Sequence, residues 1–164
     1  MGTSLMVPID RFLRRIEEDR DFFMYFYLSE AEAMMLAKKR ARNYLDNAID
    51  RLMLDGKPSI DISAIDEAAF TFNETLTRTE VFLLSSLMYE YYLEKDISRL
   101  KTLSVNYTGT ELRVFDPSNA RATFQKLYEN VQKENRSLLD MYRSTDRYTG
   151  SFVSVNESAV GERE

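Results

Sequence analysis

The side chains that could do chemistry in this chain are carboxylates, hydroxyls and cations, because its 164 residues include no His and no Cys. Thiol nucleophiles, disulfides, zinc sites with Cys or His ligands and imidazole acid–base catalysis are therefore excluded. Helical di-iron sites, which use Glu-x-x-His pairs, are excluded for the same reason. No Gly-x-Ser-x-Gly motif and no Gly-rich phosphate loop occurs. The sequence favours a protein that is not an enzyme and that uses no cofactor.

An acidic stretch between residues 61 and 74 is the one place where carboxylates alone could hold a metal ion. It contains Asp61, Asp66, Glu67 and Glu74, and hard cations such as Mg²⁺ and Ca²⁺ prefer carboxylate oxygens. The central Gly and terminal Glu of a calcium-binding EF-hand loop are missing. We interpret the stretch as solvated surface charge and predict no metal site, with a carboxylate-metal enzyme kept as an alternative.

One basic cluster stands out in a chain whose 22 cations and 27 anions leave a net charge of −5. It consists of Lys38, Lys39, Arg40 and Arg42. Successive helix residues lie about 100° apart, so these charges spread around more than half of a helix. The interpretation we favour is a solvated face with i,i+4 pairs such as Arg42 with Asp46. The functional alternative is a patch that contacts DNA or an acidic partner.

Tyrosine is abundant, with 10 residues beside 10 Phe and 8 Met. A small helical bundle has difficulty burying all of these side chains, and tyrosine is enriched at protein interfaces, where its apolar ring and polar tip are both useful. Tyr89, Tyr91 and Tyr92 fall close together in one predicted helix. We predict that they contribute to a subunit interface; the alternative is that they line the rim of the core.

The elements that position these residues follow from the scarcity of helix breakers, since the chain has only 5 Gly and 3 Pro. They leave three long stretches, 9–55, 59–108 and 118–149, which read mostly as helix. Ser29 with Glu32, and Thr77 with Glu80, have the spacing of capping boxes that begin helices. Gly56 suits the left-handed position after a helix. Within the first stretch the predicted buried residues are Ile9, Phe12, Leu13, Ile16, Met35, Leu36, Ala41, Leu45, Ala48, Ile49 and Leu52.

The C-terminal end differs in character from the rest of the chain. Residues 144–164 are rich in Ser, Thr and Glu and carry few apolar side chains, too few to bury the area that an independent fold needs. We therefore predict an all-α domain over 1–143, with three to four helices and a small extended or β element, followed by a long extended arm over 144–164. The residues that we expect to anchor this arm to a partner are Tyr148, Phe152, Val153 and Val155.

Several segments together resemble a family of small head–tail connector proteins of tailed bacteriophages. The first is Leu76-Thr77-x-x-Glu80 followed by Leu83-Leu84-Ser85-Ser86-Leu87-Met88. Two further segments are Asn43-Tyr44-Leu45-x-x-Ala48-Ile49 upstream and Asp116-Pro117-Ser118-Asn119-Ala120 downstream, before a helix that ends in Leu138-Leu139-Asp140-Met141-Tyr142. The resemblance spans about residues 9–143 and rests on helix caps and apolar positions.

The resemblance implies a structural virion protein, a neck adaptor that forms a homo-oligomeric and commonly dodecameric ring beneath the portal. Such a ring binds the portal protein and stopper or tail-completion proteins, and DNA passes through its channel without sequence-specific binding. The implied location is the virion neck, assembled in the cytoplasm of a bacterial host, with no membrane association. The alternative function is a helical regulatory or DNA-associating protein that uses the cluster from Lys38 to Arg42.

Overall fold

The computed structural model describes residues 2–23, 27–106 and 117–153. In this part of the chain the protein is all-α with one small sheet, as predicted. In chain order the elements are α1 (Met6–Arg15), α2 (Arg20–Phe23), α3 (Glu30–Arg51) with a π-helical last turn (Leu52–Gly56), β1 (Ile65–Asp66), β2 (Thr71–Phe72), α4 (Arg78–Asn106) and α5 (Pro117–Arg143).

Both predicted capping boxes begin helices. Ser29 caps α3: its side chain accepts a hydrogen bond from the Glu32 amide, and the Glu32 carboxylate accepts one from the Ser29 amide. Hydrogen bonds from Ser29 also hold the pKa of the Glu32 carboxyl below its ordinary value. Such caps satisfy amides that have no partner inside the helix and are typically worth about 1 kcal/mol.

The core forms where α1, α3 and α5 pack around α4. Phe12 of α1, Phe22 of α2 and Tyr44 of α3 surround the ring of Tyr92 of α4. Their ring centroids lie 5.7–6.4 Å apart, mostly in edge-to-face arrangements, which add about 0.5–1.5 kcal/mol per pair beyond the area that they bury. This cluster fixes the end of the domain where α2 meets α4.

The N-terminal segment closes the opposite end. Strands β1 and β2 form a short antiparallel hairpin, with Ile65 opposite Phe72. The Phe72 amide donates to the Thr3 carbonyl at 2.8 Å and the Leu5 amide donates to the Phe70 carbonyl at 3.1 Å. The N-terminus is therefore held beside the hairpin that precedes α4.

Two details of the predicted helices are wrong. Met35 is 69% exposed, because the buried stripe of α3 follows Ala33, Ala37, Ala41 and Tyr44 instead. The left-handed residue after the π-helical turn is Lys57, with φ 46°, and not Gly56. A Cβ at Gly56 would come within 2.7 Å of the Leu52 side chain, which would have to shift.

Candidate interaction site at the C-terminal arm

The first turn of α4 holds a buried carboxylate. Glu80, the acidic member of the second capping box, accepts a hydrogen bond from the Thr77 amide at 2.7 Å, and its own amide donates to Thr77 Oγ1 at 3.2 Å. Its side chain is 0% exposed. A buried carboxylate is costly unless other groups neutralise its charge and satisfy its oxygens. The remaining partners must therefore come from elsewhere in the fold.

Those partners come from the end of α5 and from the segment beyond it. Glu80 Oε1 accepts hydrogen bonds from Tyr142 Oη and from Arg147 Nε, each at 2.7 Å. Arg147 Nη2 lies 3.0 Å from Glu80 Oε2 and 2.6 Å from the carbonyl oxygen of Thr75. The guanidinium thus binds the carboxylate through two parallel bonds, the strongest form of this ion pair. We call this arrangement of Glu80, Tyr142 and Arg147 the clamp.

The electrostatics of the clamp follow from its burial. Burial opposes ionisation of Glu80, but hydrogen bonds from Arg147, Thr77 and Tyr142 keep the pKa of the carboxyl below its ordinary value. Burial and the adjacent Glu80 carboxylate raise the pKa of the Tyr142 hydroxyl well above its ordinary value. The hydrogen bond between Arg147 and Glu80 likewise raises the pKa of the Arg147 guanidinium. At neutral pH the clamp is therefore an ion pair with a neutral phenol that donates to it.

Beyond the clamp, the chain closes a compact turn over residues 145–152, which we call the arm turn. Asp146 Oδ1 accepts hydrogen bonds from the amides of Tyr148 and Thr149, at 3.1 and 2.8 Å. The Asp146 amide donates to the Ser151 carbonyl, and Gly150, with φ 68°, donates its amide to the Asp146 carbonyl. A bridge between Thr145 and Phe152 completes the turn. The bonds from Thr149 and Tyr148 also lower the pKa of the Asp146 carboxyl.

The predicted arm anchors project from this turn into solvent. Tyr148 is 80% exposed, Phe152 77% and Val153 59%, while Val155 lies outside the described residues. The described start of the predicted arm is thus a turn fixed to the domain, and the rest of the arm lies outside the described residues. The polar surroundings of Arg147 gave no reason to single it out from the sequence. The sequence signal for this contact lies in Glu80. Its capping position provides a hydrogen-bond donor for one carboxylate oxygen and leaves the other oxygen without a predicted donor.

The predicted basic cluster is divided among several contacts. Arg42 Nε pairs with Asp46 at 2.8 Å, as predicted, and Arg42 Nη2 pairs with Glu67 at 2.8 Å. Its guanidinium also lies 5.7 Å from the ring centroid of Phe70. Arg42 therefore attaches α3 to the β1–β2 hairpin and makes a structural contact.

The other three cations of the cluster have different surroundings. Arg40 Nη1 lies 3.4 Å from the Phe22 carbonyl, and its guanidinium stacks 4.4 Å from the centre of the Phe22 ring. Lys38 and Lys39 are exposed. The structure does not bring the four residues together as one free basic surface for DNA or an acidic partner, because two of them are engaged within the domain.

The three tyrosines of α4 that were predicted at an interface have different environments. The predicted interface role of Tyr92 is wrong, because Tyr92 is buried in the chain's own core, with its hydroxyl donating to Asp19. Tyr89 is half-buried: it stacks on Tyr92 and lies 4.0 Å beneath the Arg15 guanidinium. Tyr91 is half-buried as well. These three tyrosines of α4 thus belong to the core and its rim.

A second buried polar group joins α3, α4 and α5. Asn135 of α5, 0% exposed, accepts from the Ser86 hydroxyl at 2.7 Å and donates to Glu90 Oε2 at 2.7 Å. Glu90 Oε1 in turn pairs with Arg51 of α3 at 3.2 Å. Burial opposes the charged form of Arg51, but Glu90 and Asp55 raise its pKa. All three helices are therefore joined by satisfied polar contacts, which have the character of structural bonds.

No three acidic side chains in the described ranges come close enough to hold a metal ion. Nor does any helix of the described part have the length and apolar character to cross a membrane. Comparisons with protein-family models, with characterised proteins and with solved structures found no match to this chain.

Proposed function

We propose that the protein is a structural adaptor subunit of a bacteriophage head–tail neck, which assembles as a homo-oligomeric ring and binds its partners through the C-terminal arm. One observation carries this proposal: the clamp fixes the arm turn to the domain while three apolar side chains project from it into water. Exposed apolar groups on a preformed element are typical of binding surfaces.

Two further features support the proposal. The turn begins directly after α5, so its position is set by a helix that packs along α4. The Tyr148 hydroxyl accepts a hydrogen bond from Arg147 Nη1 at 2.7 Å, but most of its surface, like that of Phe152 and Val153, is exposed. A partner that buries these side chains gains roughly 1.5–3 kcal/mol for each fully buried apolar side chain. The resemblance to connector proteins names the class of partner, a portal ring on one side and stopper or tail-completion proteins on the other.

The test is binding to a portal ring from the same source, with the mass of the complex measured in solution. Replacing Tyr148, Phe152 and Val153 together by Ser removes the contact of Arg147 Nη1 with the Tyr148 hydroxyl but keeps both bonds of Arg147 to Glu80. Cutting the chain after Arg143 would instead leave Glu80 buried without its partner. We expect the triple variant to lose portal binding. The matched control is Met35→Ser, on an exposed site of α3 far from the arm. Portal binding by the triple variant equal to that of the control would refute the proposed role of the arm.

A further inference from the structure

We infer that Tyr148 is the anchor of the arm turn, held in position by Arg147 before binding, and that it enters a partner site which accepts a hydrogen bond from its hydroxyl group. The inference rests on the proposed binding of the portal through the arm, and it names the side chain and the chemistry that this contact uses. Phe152 and Val153 extend the contact around the anchor.

The position of the Arg147 guanidinium is set by the clamp. Its Nε and Nη2 atoms bind the two carboxylate oxygens of Glu80, and Nη2 also donates to the carbonyl oxygen of Thr75. Because a guanidinium is planar and rigid, these three hydrogen bonds leave Nη1 in one place. The buried carboxylate of Glu80 therefore determines where the remaining donors of Arg147 lie.

The remaining donors of Arg147 contact Tyr148 in two ways. Nη1 donates a hydrogen bond to Tyr148 Oη at 2.7 Å. The carbon of the guanidinium also lies 5.0 Å from the centre of the Tyr148 ring, which is within the range of a cation–π contact. One contact holds the hydroxyl and the other holds a face of the ring, so together they select one rotamer. Tyr148 is therefore exposed and ordered at the same time.

The other two exposed side chains of the arm turn are not held in this way. Of Tyr148, Phe152 and Val153, only Tyr148 has a side-chain hydrogen bond or a cation–π contact within the described ranges. Ordering a side chain on binding costs affinity, and a side chain that is already ordered avoids this cost. Tyrosine is also among the residues that dominate interface energies. A partner therefore gains most from binding Tyr148.

The hydroxyl group of Tyr148 determines the chemistry of the partner site. A phenol has one hydrogen to donate and lone pairs that accept. Arg147 donates to the oxygen, and no residue in the described part of the chain accepts the hydroxyl hydrogen. A partner that buries the ring must accept this hydrogen, because a buried donor without an acceptor is costly. The matching site is an apolar pocket with an oxygen acceptor, a carboxylate or a carbonyl, beside the hydroxyl.

The first measurement is made on the free, full-length chain. Three-bond NMR couplings between the backbone and the Cγ carbon of the ring at position 148 report its χ1 rotamer. We expect one rotamer in the wild type and averaging over rotamers in Tyr148→Phe, which removes only the hydroxyl group. Urea unfolding should show similar stability for both chains, because Arg147 keeps both bonds to Glu80 in the variant. Averaging over rotamers in the wild type would overturn the inference.

The second measurement is the affinity for a portal ring from the same source. Tyr148→Phe should bind about 10-fold more weakly than the wild type, because the ring is no longer ordered in advance and its hydrogen bond to the partner is lost. The matched control is Tyr27→Phe, the same change at a fully exposed tyrosine between α2 and α3. This control should bind the portal like the wild type.

The outcomes separate this inference from the proposed function. Equal portal affinities of Tyr148→Phe and Tyr27→Phe, together with loss of binding in the triple Ser variant, would refute the anchor and leave the proposed function standing. Portal binding that survives in the triple Ser variant would refute both.

Discussion

Replacing Arg147 by Met should destabilise the protein strongly, although Arg147 lies in a surface segment after the last helix. The substitution keeps the length and apolar stem of the side chain and removes the guanidinium. Glu80 would then remain fully buried, with only Tyr142 and the Thr77 amide as hydrogen-bond partners.

The magnitude follows from the burial of the pair. Side-chain exposure is 7% for Arg147 and 0% for Glu80, and removing one member of a buried ion pair typically costs about 3–5 kcal/mol. The two surviving hydrogen bonds to Glu80 reduce the penalty, so we expect about 3 kcal/mol. For a chain of this size, this corresponds to a fall of roughly 6–12 °C in Tm.

Urea unfolding monitored by circular dichroism measures the lost free energy of unfolding. Hydrogen exchange of the backbone amides shows which part of the chain is affected. Arg143→Met is the matched control, because Arg143 pairs with Asp140 at 3.4 Å with 53% and 63% of the side chains exposed, a pair worth about 0–1 kcal/mol. Exchange at the amides of Gly150 and Val153 should accelerate only in Arg147→Met. If both substitutions cost the same, the clamp does not hold the arm turn and the reasoning is wrong.

Three further predictions concern the buried polar groups. Because folding holds the Glu80 pKa below the unfolded value of about 4.3, the unfolded chain takes up the proton first on acidification. The stability difference between wild type and Glu80→Gln should therefore be complete above about pH 5 and shrink as the pH falls in urea titrations. Tyr142→Phe should cost about 1.5–3 kcal/mol, the usual value of a hydrogen bond to a charged group. It should also remove a loss of stability that appears in the wild type as the pH rises above about 10, since folding raises this pKa. Asn135→Leu should cost about 2–3 kcal/mol at neutral pH in the same assay, because Ser86 and Glu90 each lose a buried partner; a neutral effect would show that water replaces the amide.

The sequence predicts the helices well because their starts are set by local chemistry. Ser29 with Glu32, and Thr77 with Glu80, satisfy amides within three residues, so no distant contact is needed to recognise them. The stripe of α1, from Ile9 to Ile16, is buried as its spacing predicts. Local signals of this kind determine where a helix begins and which face of a short helix is buried.

Burial and side-chain contacts are predicted less well where they depend on a residue far away in the chain. Met35 and Tyr92 both satisfy helical spacing, yet the position of α4 buries Tyr92 and leaves Met35 in solvent. Asn135 follows the buried Val131 by one helical turn, and a polar residue at such a position requires a buried hydrogen-bond partner. Arg147 gave no local signal, because its role depends on a carboxylate 67 residues earlier in the chain.

The contact of Asn135 with Ser86 and Glu90 also fixes the position of α5 along α4. An apolar helix face can slide along its neighbour by one turn at modest cost, but Asn135 satisfies its partners in one alignment only. A slip of α5 by four residues would shift its end by about 6 Å and carry Arg147 away from Glu80. The position at which the arm leaves the domain is therefore set by a contact in the middle of the bundle, about two helical turns before the arm begins.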